Sequence, residues 1–341
     1  MSLADLSAQI RAALKWLLIL PAILVIIWLV WLGAKEVSKL ALKPRGQDTA
    51  YGNLAPPLFT KTFSPLKADK FELATSLPKQ KEKADVFRIE QAGKFSQEQQ
   101  KEIVSFFKLT NGEKKQTDNV IAWKAGSASL SLDTSQSHFK FRLDLSKDTS
   151  SLPSAAAIDK NQASRQAKEV IKKLNLVPKD IDLDNPLVRS FTISVGKREE
   201  TSAASANVVE INFYRKIKGV RSSGDALIRM LLERGSNKIL EFDYDYYPLN
   251  SVGSTYPIID SDQAWEELQA GRAFTKESSE FDLVKVTKIN LSYWESKFHE
   301  PYLQPIWLFS AKGEAKGAEK EFEAYLPAIN PSFFWGEESQ P

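Results

Sequence analysis

The sequence predicts an α+β protein in which an N-terminal transmembrane helix is followed by tandem units, each a helix packed on an antiparallel sheet. Three observations lead to this prediction: a stretch without charge near the N-terminus, a helix-start motif that occurs three times, and alternating apolar and polar residues beyond each start. With 341 residues, 43% of them apolar, the chain is long enough for two or three domains.

Composition excludes several classes of function. The chain has no cysteine, which excludes disulfides, thiol catalysis and cysteine-ligated metals. The formal net charge is +3, and the excess of basic residues lies within the first 45 positions. Because the rest of the chain is close to neutral, we expect no nucleic-acid partner, which would need clustered cations on the folded part.

Residues 16–34, WLLILPAILVIIWLVWLGA, are predicted to form the transmembrane helix. At about 1.5 Å rise per residue, a helix of this length crosses most of a hydrocarbon layer about 30 Å thick. Trp16, Trp28 and Trp31 are placed to lie at the two membrane interfaces, where amphipathic rings are favoured. The alternatives are a cleaved signal peptide, for which the apolar core is too long, and a buried helix of a soluble domain.

The segments on either side of this stretch follow from the same prediction. Residues 1–15 would be a short cytoplasmic N-terminus, although the flanking charges alone do not decide the orientation. Residues 35–80 are predicted to extend the helix to about Leu42 and then to form a spacer without an apolar period. The spacer is recognised by its prolines, Pro44, Pro56, Pro57 and Pro65.

A short motif, IDKNQA at 158–163 and IDSDQA at 259–264, occurs twice in nearly the same form. Each copy has an aspartate followed three residues later by glutamine, the arrangement of a helix capping box. A third box is Ser96 with Gln99. We therefore predict a first helix-plus-sheet domain at 81–150 and a tandem domain of two repeats at 151–330, joined by a serine-rich linker at 146–157.

Apolar residues follow each cap at helical spacing and recur at alternate positions in the strands beyond. The predicted helix faces are Ile103, Phe106, Phe107 and Thr110; Ala163, Ala167, Val170, Ile171 and Leu174; and Ala264, Trp265 and Leu268, with Gly271 ending the last helix. The predicted strands are 138–145, 191–195, 209–217, 289–293 and 321–326.

No common catalytic or cofactor motif occurs in the sequence. There is no G-x-S-x-G elbow, phosphate-binding loop or dinucleotide fingerprint, and His138 and His299 belong to no metal-binding pattern. We therefore expect no catalytic residues and no cofactor, and interpret both histidines as solvated. An enzyme whose residues meet only in space stays open as an alternative.

The stretch EFDYDYY at 241–247 contains the candidate metal ligands. As a strand it places Glu241, Asp243 and Asp245 on one face and the aromatic residues on the other. Three carboxylates in a row are suited to a hard cation such as Ca²⁺. The alternative, which we favour, is a solvated acidic face above an aromatic core face.

The aromatic tail at 331–341 contains PSFFW. These side chains are expected to pack back on the last sheet, and the alternative is a segment that docks a partner.

A resemblance to a known family rests on the helix start D-x-x-Q-A, followed by INLSYWESKFHEPYLQPIWLFSAKG and EFEAYLPAI. This pattern resembles the end of a PepSY-like unit, and the chain is similar to the YycH/YycI group of membrane-anchored bacterial regulators over about 155–330 and, more weakly, 85–145. The ending AYLPAINP departs from that family's usual asparagine-alanine-glycine ending.

The resemblance implies a single-pass protein of the cell membrane whose large C-terminal part lies outside the cytoplasm. It implies a non-catalytic role, in which the protein binds or modulates another envelope protein or a peptide, with exposed sheet edges available to accept a strand. Two alternatives from other classes are a cell-envelope hydrolase that uses carboxylates and a structural surface or assembly protein.

Overall fold

β-Strands dominate the part of the chain that the computed structural model describes, namely residues 48–59, 62–79, 82–144, 159–194, 197–236, 238–277, 280–296 and 300–335. Within these ranges the strands form sheets of up to nine members, and there are only three α-helices. The predicted α+β class, with one helix and a separate sheet for each tandem unit, is therefore wrong. The described residues belong to one compact unit, Gln47–Pro341.

The three helices begin where the capping motifs predict. They are α1 (Gln97–Phe106), α2 (Lys160–Lys173) and α3 (Ser261–Gln269). Ser96 and Gln99 form a complete capping box, and Asp159 and Asp260 accept hydrogen bonds from amides of the first turn. The motif recurs because each helix needs its free amides satisfied.

Strands from both sides of residue 150 form one antiparallel sheet. In spatial order they are β4 (Glu113–Gln116), β5 (Val120–Ala125), β6 (Ala128–Asp133), β7 (His138–Leu143), β15 (Ile239–Asp245), β14 (Ile228–Glu233), β10 (Val208–Phe213), β8 (Leu187–Ser194) and β9 (Lys197–Glu200). At the junction of β7 with β15, Phe141 lies opposite Phe242 and Phe139 opposite Tyr244. The boundary predicted near residue 150 therefore does not separate two sheets; the linker at 146–157 itself lies outside the described residues.

Helices α1 and α2 share one core with this sheet. Phe107, at the end of α1, stacks on Phe141 of β7 with the ring centroids 4.0 Å apart. From α2, Ala167 and Ile171 are fully buried in the same cluster. The two helices therefore cover one face of the sheet together, and the alternation of the strands directs the polar side chains to the other face.

A second sheet of seven strands contains the C-terminal part of the chain. Its strands are β1 (Ser64–Pro65), β17 (Phe274–Thr275), β21 (Ala318–Pro327), β20 (Pro305–Ala315), β18 (Phe281–Glu295) and β13 (Ser223–Gly224), with β2 (Ala68–Leu73) pairing in parallel with β18. Ala264 and Leu268 of α3 pack in its core, where Trp307 is fully buried. The alternation predicted for 321–326 is confirmed, since Phe322, Ala324 and Leu326 are buried.

Two small sheets complete the described elements. The first contains β16 (Ser254–Pro257), β3 (Lys83–Arg88) and β19 (Tyr302–Leu303), and the second is the hairpin of β11 (Lys216–Ile217) and β12 (Val220–Arg221).

The spacer predicted at 35–80 is wrong from residue 48 onward. Leu54 and Leu66 are buried, β1 pairs with β17, and β2 pairs with β18. Leu66 anchors the segment in the core of the seven-stranded sheet and Leu54 anchors it beside the three-stranded sheet, because burying each leucine removes apolar surface from water.

The described part of the aromatic tail at 331–341 packs back on the protein, but against Leu54 and the three-stranded sheet and not, as predicted, on the last sheet. A 3₁₀ turn, Pro331–Phe333, directs Phe333 against Tyr256, with the ring centroids 5.9 Å apart. The amide of Leu54 donates to the carbonyl of Phe333 at 2.8 Å, and the amide of Trp335 donates back to Leu54 at 3.0 Å. Both ends of the described chain therefore meet at Leu54.

The predicted membrane segment, 16–34, and the cytoplasmic segment, 1–15, lie outside the described residues. Among the helices that are described, none has the length and apolar character needed to cross a membrane.

Candidate functional site

A polar cleft of about 570 Å³ opens on the face of the nine-stranded sheet that α1 and α2 do not cover. Its floor carries acidic and basic side chains from β7, β10, β14 and β15, the central strands of the sheet. The cleft contains two of the three candidate metal ligands, Asp243 and Asp245. Ten of the residues that line it are Asp, Glu, Lys or Arg, and we take it as the candidate functional site.

Asp243 lies at the centre of the cleft between two arginines. Arg142 of β7 donates to its Oδ2 at 2.8 Å, and Arg229 of β14 donates to the same oxygen at 2.6 and 3.1 Å. Glu241, one pleat away, lies 3.2 Å from Arg229. The acidic row predicted on this strand is therefore neutralised by bases on both neighbouring strands.

Glu210 of β10 extends the same network. Its carboxylate lies 3.3 Å from Arg229, accepts a hydrogen bond from Asn212 at 2.8 Å and pairs with Arg198 of β9. Charges of opposite sign thus alternate across the four adjacent strands β7, β15, β14 and β10, and Arg198 joins them from β9. Such cross-strand pairs each stabilise a sheet modestly, and together they hold the side chains of the cleft in fixed positions.

The arginines keep the carboxylates of the cleft ionised. Burial alone would raise the pKa of Glu210, but the hydrogen bond from Asn212 and the charges of Arg198 and Arg229 outweigh it and lower that pKa below its ordinary value. Burial opposes ionisation of Asp243 in the same way, and Arg142 and Arg229 again lower its pKa. Both groups are therefore anions at neutral pH.

Asp245 and His138 form a separate pair at one end of the cleft. The imidazole Nδ1 lies 3.1 Å from the carboxylate, and Nε2 lies 3.2 Å from the carbonyl of Tyr246. His138 is thus half-buried and partnered, so the prediction that it is solvated is wrong; His299 lies outside the described residues. The described part of the chain contains no group of three or more acidic or histidine side chains arranged to hold a metal ion.

Two further cavities continue the cleft towards the seven-stranded sheet. One has a volume of about 70 Å³ and the other of about 730 Å³. Arg189 of β8 and Lys276, which follows β17, line all three cavities. We call this continuous surface the groove and its narrow middle cavity the waist pocket.

The sequence predicted some of these residues and missed others. The alternation placed Glu241, Asp243 and Asp245 on one face correctly, since Leu240, Phe242 and Tyr244 are buried on the other. It could not show that Arg142 and Arg229 pair with them, because neighbouring strands are selected by the fold and not by local period. The membrane-interface residues Trp16, Trp28 and Trp31 lie outside the described residues.

Comparison with known proteins identifies no family for this chain. No family model and no curated protein matches it. Among solved structures, an uncharacterised protein from Eubacterium rectale has a TM-score of 0.46 at 10% identity, covering 75% of this chain and 88% of that one. The Bacillus megaterium YpeB C-terminal domain has a TM-score of 0.37 at 13% identity, covering 71% of this chain and 95% of the domain.

Both TM-scores are below 0.5, and neither similarity carries an argument about this chain. The resemblance to the YycH/YycI group is not confirmed and stays a prediction.

Proposed function

We propose that this protein is a non-catalytic binding protein of the cell envelope and that an extended segment of another envelope protein, or a peptide, lies in the groove. The observation that carries the proposal is the network around Asp243, in which carboxylates and arginines occupy fixed, alternating positions on an open sheet face. A surface with both charges held in place suits recognition of a polypeptide, whose backbone and side chains offer donors, acceptors and charges together.

The protonation of the groove favours binding over hydrolysis. A hydrolase that uses two carboxylates needs one of them protonated as a general acid, which requires a raised pKa. In the cleft, the pKa values of Glu210 and Asp243 are lowered, and arginines already occupy the carboxylate oxygens. The alternative of a carboxylate-dependent envelope hydrolase therefore has less support than the binding role.

The edges of the nine-stranded sheet are less suited to a partner than the groove is. The outer strand β4 reads EKKQ and is exposed at all four positions, and the opposite outer strand, β9, reads KREE. Charged residues on an edge strand discourage the addition of another strand. The sequence suggested the sheet edges as the place where a partner binds. We propose the groove instead.

Location at the cell membrane, with the large C-terminal part outside the cytoplasm, is a further part of the proposal. It depends on the sequence of residues 16–34 and on the resemblance to membrane-anchored regulators.

Site-specific photo-cross-linking in intact membranes tests the proposal. A photoreactive amino acid replaces Lys140, an exposed residue of the cleft, in the full-length protein. The matched control carries it at Lys172, which is exposed on α2 and lies on the covered face of the sheet. We expect a discrete adduct with one polypeptide from position 140 and none from position 172. Identical adducts from both positions, or no adduct together with turnover of a cell-wall fragment by the purified protein, would contradict the binding role.

A further inference from the structure

The waist pocket has the lining of a site for a small anion. It is bounded by three basic side chains, those of Arg189, Arg221 and Lys276, and by one acidic side chain, that of Glu323. Its volume of about 70 Å³ is suited to a single charged group and not to a whole ligand. It shares Tyr214 and Gly224 with the cleft and Glu323 and Tyr325 with the other large cavity, so it adjoins both parts of the groove.

Two of the three bases of the waist pocket, Arg189 and Arg221, are available to a ligand. Neither Arg189 nor Arg221 makes a side-chain hydrogen bond or ion pair with any described residue, and the Arg221 guanidinium lies over the ring of Tyr214 at 5.1 Å. The single acid is already engaged, because Glu323 accepts a hydrogen bond from the hydroxyl of Tyr325 at 2.8 Å. The pocket therefore keeps a net positive charge.

Several acids elsewhere in the groove are held by bases of their own. Asp243 and Glu210 are paired with Arg229, and Glu277 is paired with Lys320 at 2.6 Å. These three carboxylates therefore compensate the charge of the waist less than unpaired carboxylates would.

A second and independent observation is the hydroxyl of Ser222. This residue lines the waist pocket and is completely buried, yet its Oγ has no hydrogen-bond partner among the described residues. A buried hydroxyl without a partner is unfavourable, and such groups in native structures call for an explanation. A ligand oxygen in the pocket would provide the missing partner.

The wall that carries Ser222 is held rigidly. The amide of Ser222 donates to the carbonyl of Arg215 at 2.8 Å, and the hydroxyl of Ser223 lies 2.8 Å from that of Ser292. Gly224 has a φ of +100°, and a Cβ at this position would lie 2.3 Å from the carbonyl oxygen of Glu295. The pocket is therefore preformed, which lowers the free-energy cost of binding.

We propose that the waist pocket binds a carboxylate of the polypeptide segment in the groove, and hence that the partner segment is acidic. This inference rests on the proposed function and specifies its ligand. A planar carboxylate matches the donor geometry of an arginine, and its two oxygens can reach a guanidinium and the Ser222 hydroxyl together. The nearby charge of Glu323 favours a singly charged carboxylate over a doubly charged phosphate.

The test is a titration of the full-length, ¹⁵N-arginine-labelled protein in detergent, followed through the arginine Nε–H signals. The first probe is N-acetylglutamate α-N-methylamide, which has only a side-chain carboxylate, and the second is N-acetylglycine, which represents a C-terminal carboxylate. The neutral comparison is N-acetylglutamine N-methylamide, and inorganic phosphate is titrated separately. Arg189→Ala and Arg221→Ala assign the two signals.

We expect saturable shifts of the Arg189 and Arg221 signals with at least one carboxylate probe, and at least tenfold weaker binding of the neutral amide. Ser222→Ala should weaken carboxylate binding several-fold. Arg272→Ala, which removes an exposed arginine paired with Glu267, should leave it unchanged. The stronger of the two carboxylate probes tells whether a side chain or a chain end occupies the pocket.

Equal shifts with the amide, no saturation, or saturation by phosphate alone would overturn the inference. If these results occur while cross-linking from position 140 persists, the groove binds its partner without a carboxylate in the waist. If the carboxylates bind but no cross-link forms from position 140, the waist pocket binds anions, but the proposed polypeptide partner and the proposed function are contradicted.

Discussion

Arg215 and Glu295 form an ion pair that is completely buried between the two large sheets. Arg215 lies two residues beyond the end of β10 in the nine-stranded sheet, and Glu295 ends β18 of the seven-stranded sheet. The Nε atom of Arg215 lies 2.8 Å from Oε1 of Glu295. The guanidinium also pairs with Asp180 and donates to the carbonyl of Tyr247 at 2.7 Å, and the Tyr247 hydroxyl donates to Glu295. Two charges without access to water are thus satisfied by one network that spans both cores.

Breaking this pair should strongly destabilise the protein. In Arg215→Met the carboxylate of Glu295 loses its charged partner, and an uncompensated buried charge costs about 3–5 kcal/mol. We expect a loss of this size in the free energy of unfolding, measured by urea denaturation of the full-length protein. Arg272→Met removes an exposed pair and should cost less than about 1 kcal/mol. Equal effects of the two substitutions would contradict the role assigned to burial.

A fragment of residues 156–330 should not fold cooperatively. It lacks β7, and without β7 the strand β15 would become an edge that leaves Phe242 and Tyr244 without Phe139 and Phe141. It also lacks β1 and β2 of the other sheet. Residues 47–341 should show one sharp urea transition by circular dichroism, and the fragment a shallow one. A sharp transition in the fragment would mean that the domain boundary near 150 is real.

Local structure was predictable from the sequence where it depends on a few neighbouring side chains, as at helix starts and in alternating strands. The caps at Ser96, Asp159 and Asp260 start their helices as expected, and the alternation at Phe322, Ala324 and Leu326 correctly predicts a strand. These features depend on hydrogen bonds or burial within a few residues.

Partner choice between distant strands was not predictable. Nothing in the period of β7 or β15 indicates that Phe141 meets Phe242, because any two strands with apolar alternate positions satisfy the same pattern. The arginine partners of Asp243 were missed for this reason. Leu54 and Leu66 were missed because a single leucine among prolines carries no period.

The protein should lose stability as the pH rises from about 4.5 to about 7, through Glu300. Burial raises the pKa of this carboxyl to about 7, and the hydrogen bonds from the Leu58 amide and Ser296 only partly oppose the shift. Because the folded state binds the proton more tightly than the unfolded state, the stabilisation is complete below the unfolded pKa and is lost as the pH rises through the folded value.

Glu300→Gln should therefore flatten this pH dependence and stabilise the protein at pH 8, by a free energy on the order of 3 kcal/mol. Urea denaturation at several pH values measures the effect, and Glu280→Gln, at an exposed position, is the control. An unchanged slope of stability against pH in Glu300→Gln would show that this carboxyl does not titrate in the window.

Removing the Ser222 hydroxyl should not destabilise the fold. Its Oγ has no partner in the described structure, so Ser222→Ala should leave the free energy of unfolding unchanged or raise it by up to about 1 kcal/mol. Ser223→Ala is the matched comparison, since that hydroxyl bonds to Ser292 at 2.8 Å and its loss should cost about 1 kcal/mol. Chemical denaturation of both variants measures the two changes in the free energy of unfolding. A larger loss in Ser222→Ala than in Ser223→Ala would contradict the prediction.

The proposed orientation can be tested because the chain has no cysteine. A single cysteine at Lys172, exposed on α2, should react with a membrane-impermeant maleimide in intact cells. A cysteine at Ser7 should react only after the cells are permeabilised. The opposite pattern of labelling would place the large C-terminal part in the cytoplasm.

The contact between Leu54 and Phe333 also sets the order of events during synthesis. The backbone of Leu54 bonds to Phe333 and Trp335, so this contact cannot form until those two residues have left the ribosome. At about 5–20 residues per second, the interval between Leu54 and Phe333 is on the order of tens of seconds. For most of that time β1 and β2 are without the strands β17 and β18 with which they pair, so the nascent chain exposes unpaired strand edges to chaperones.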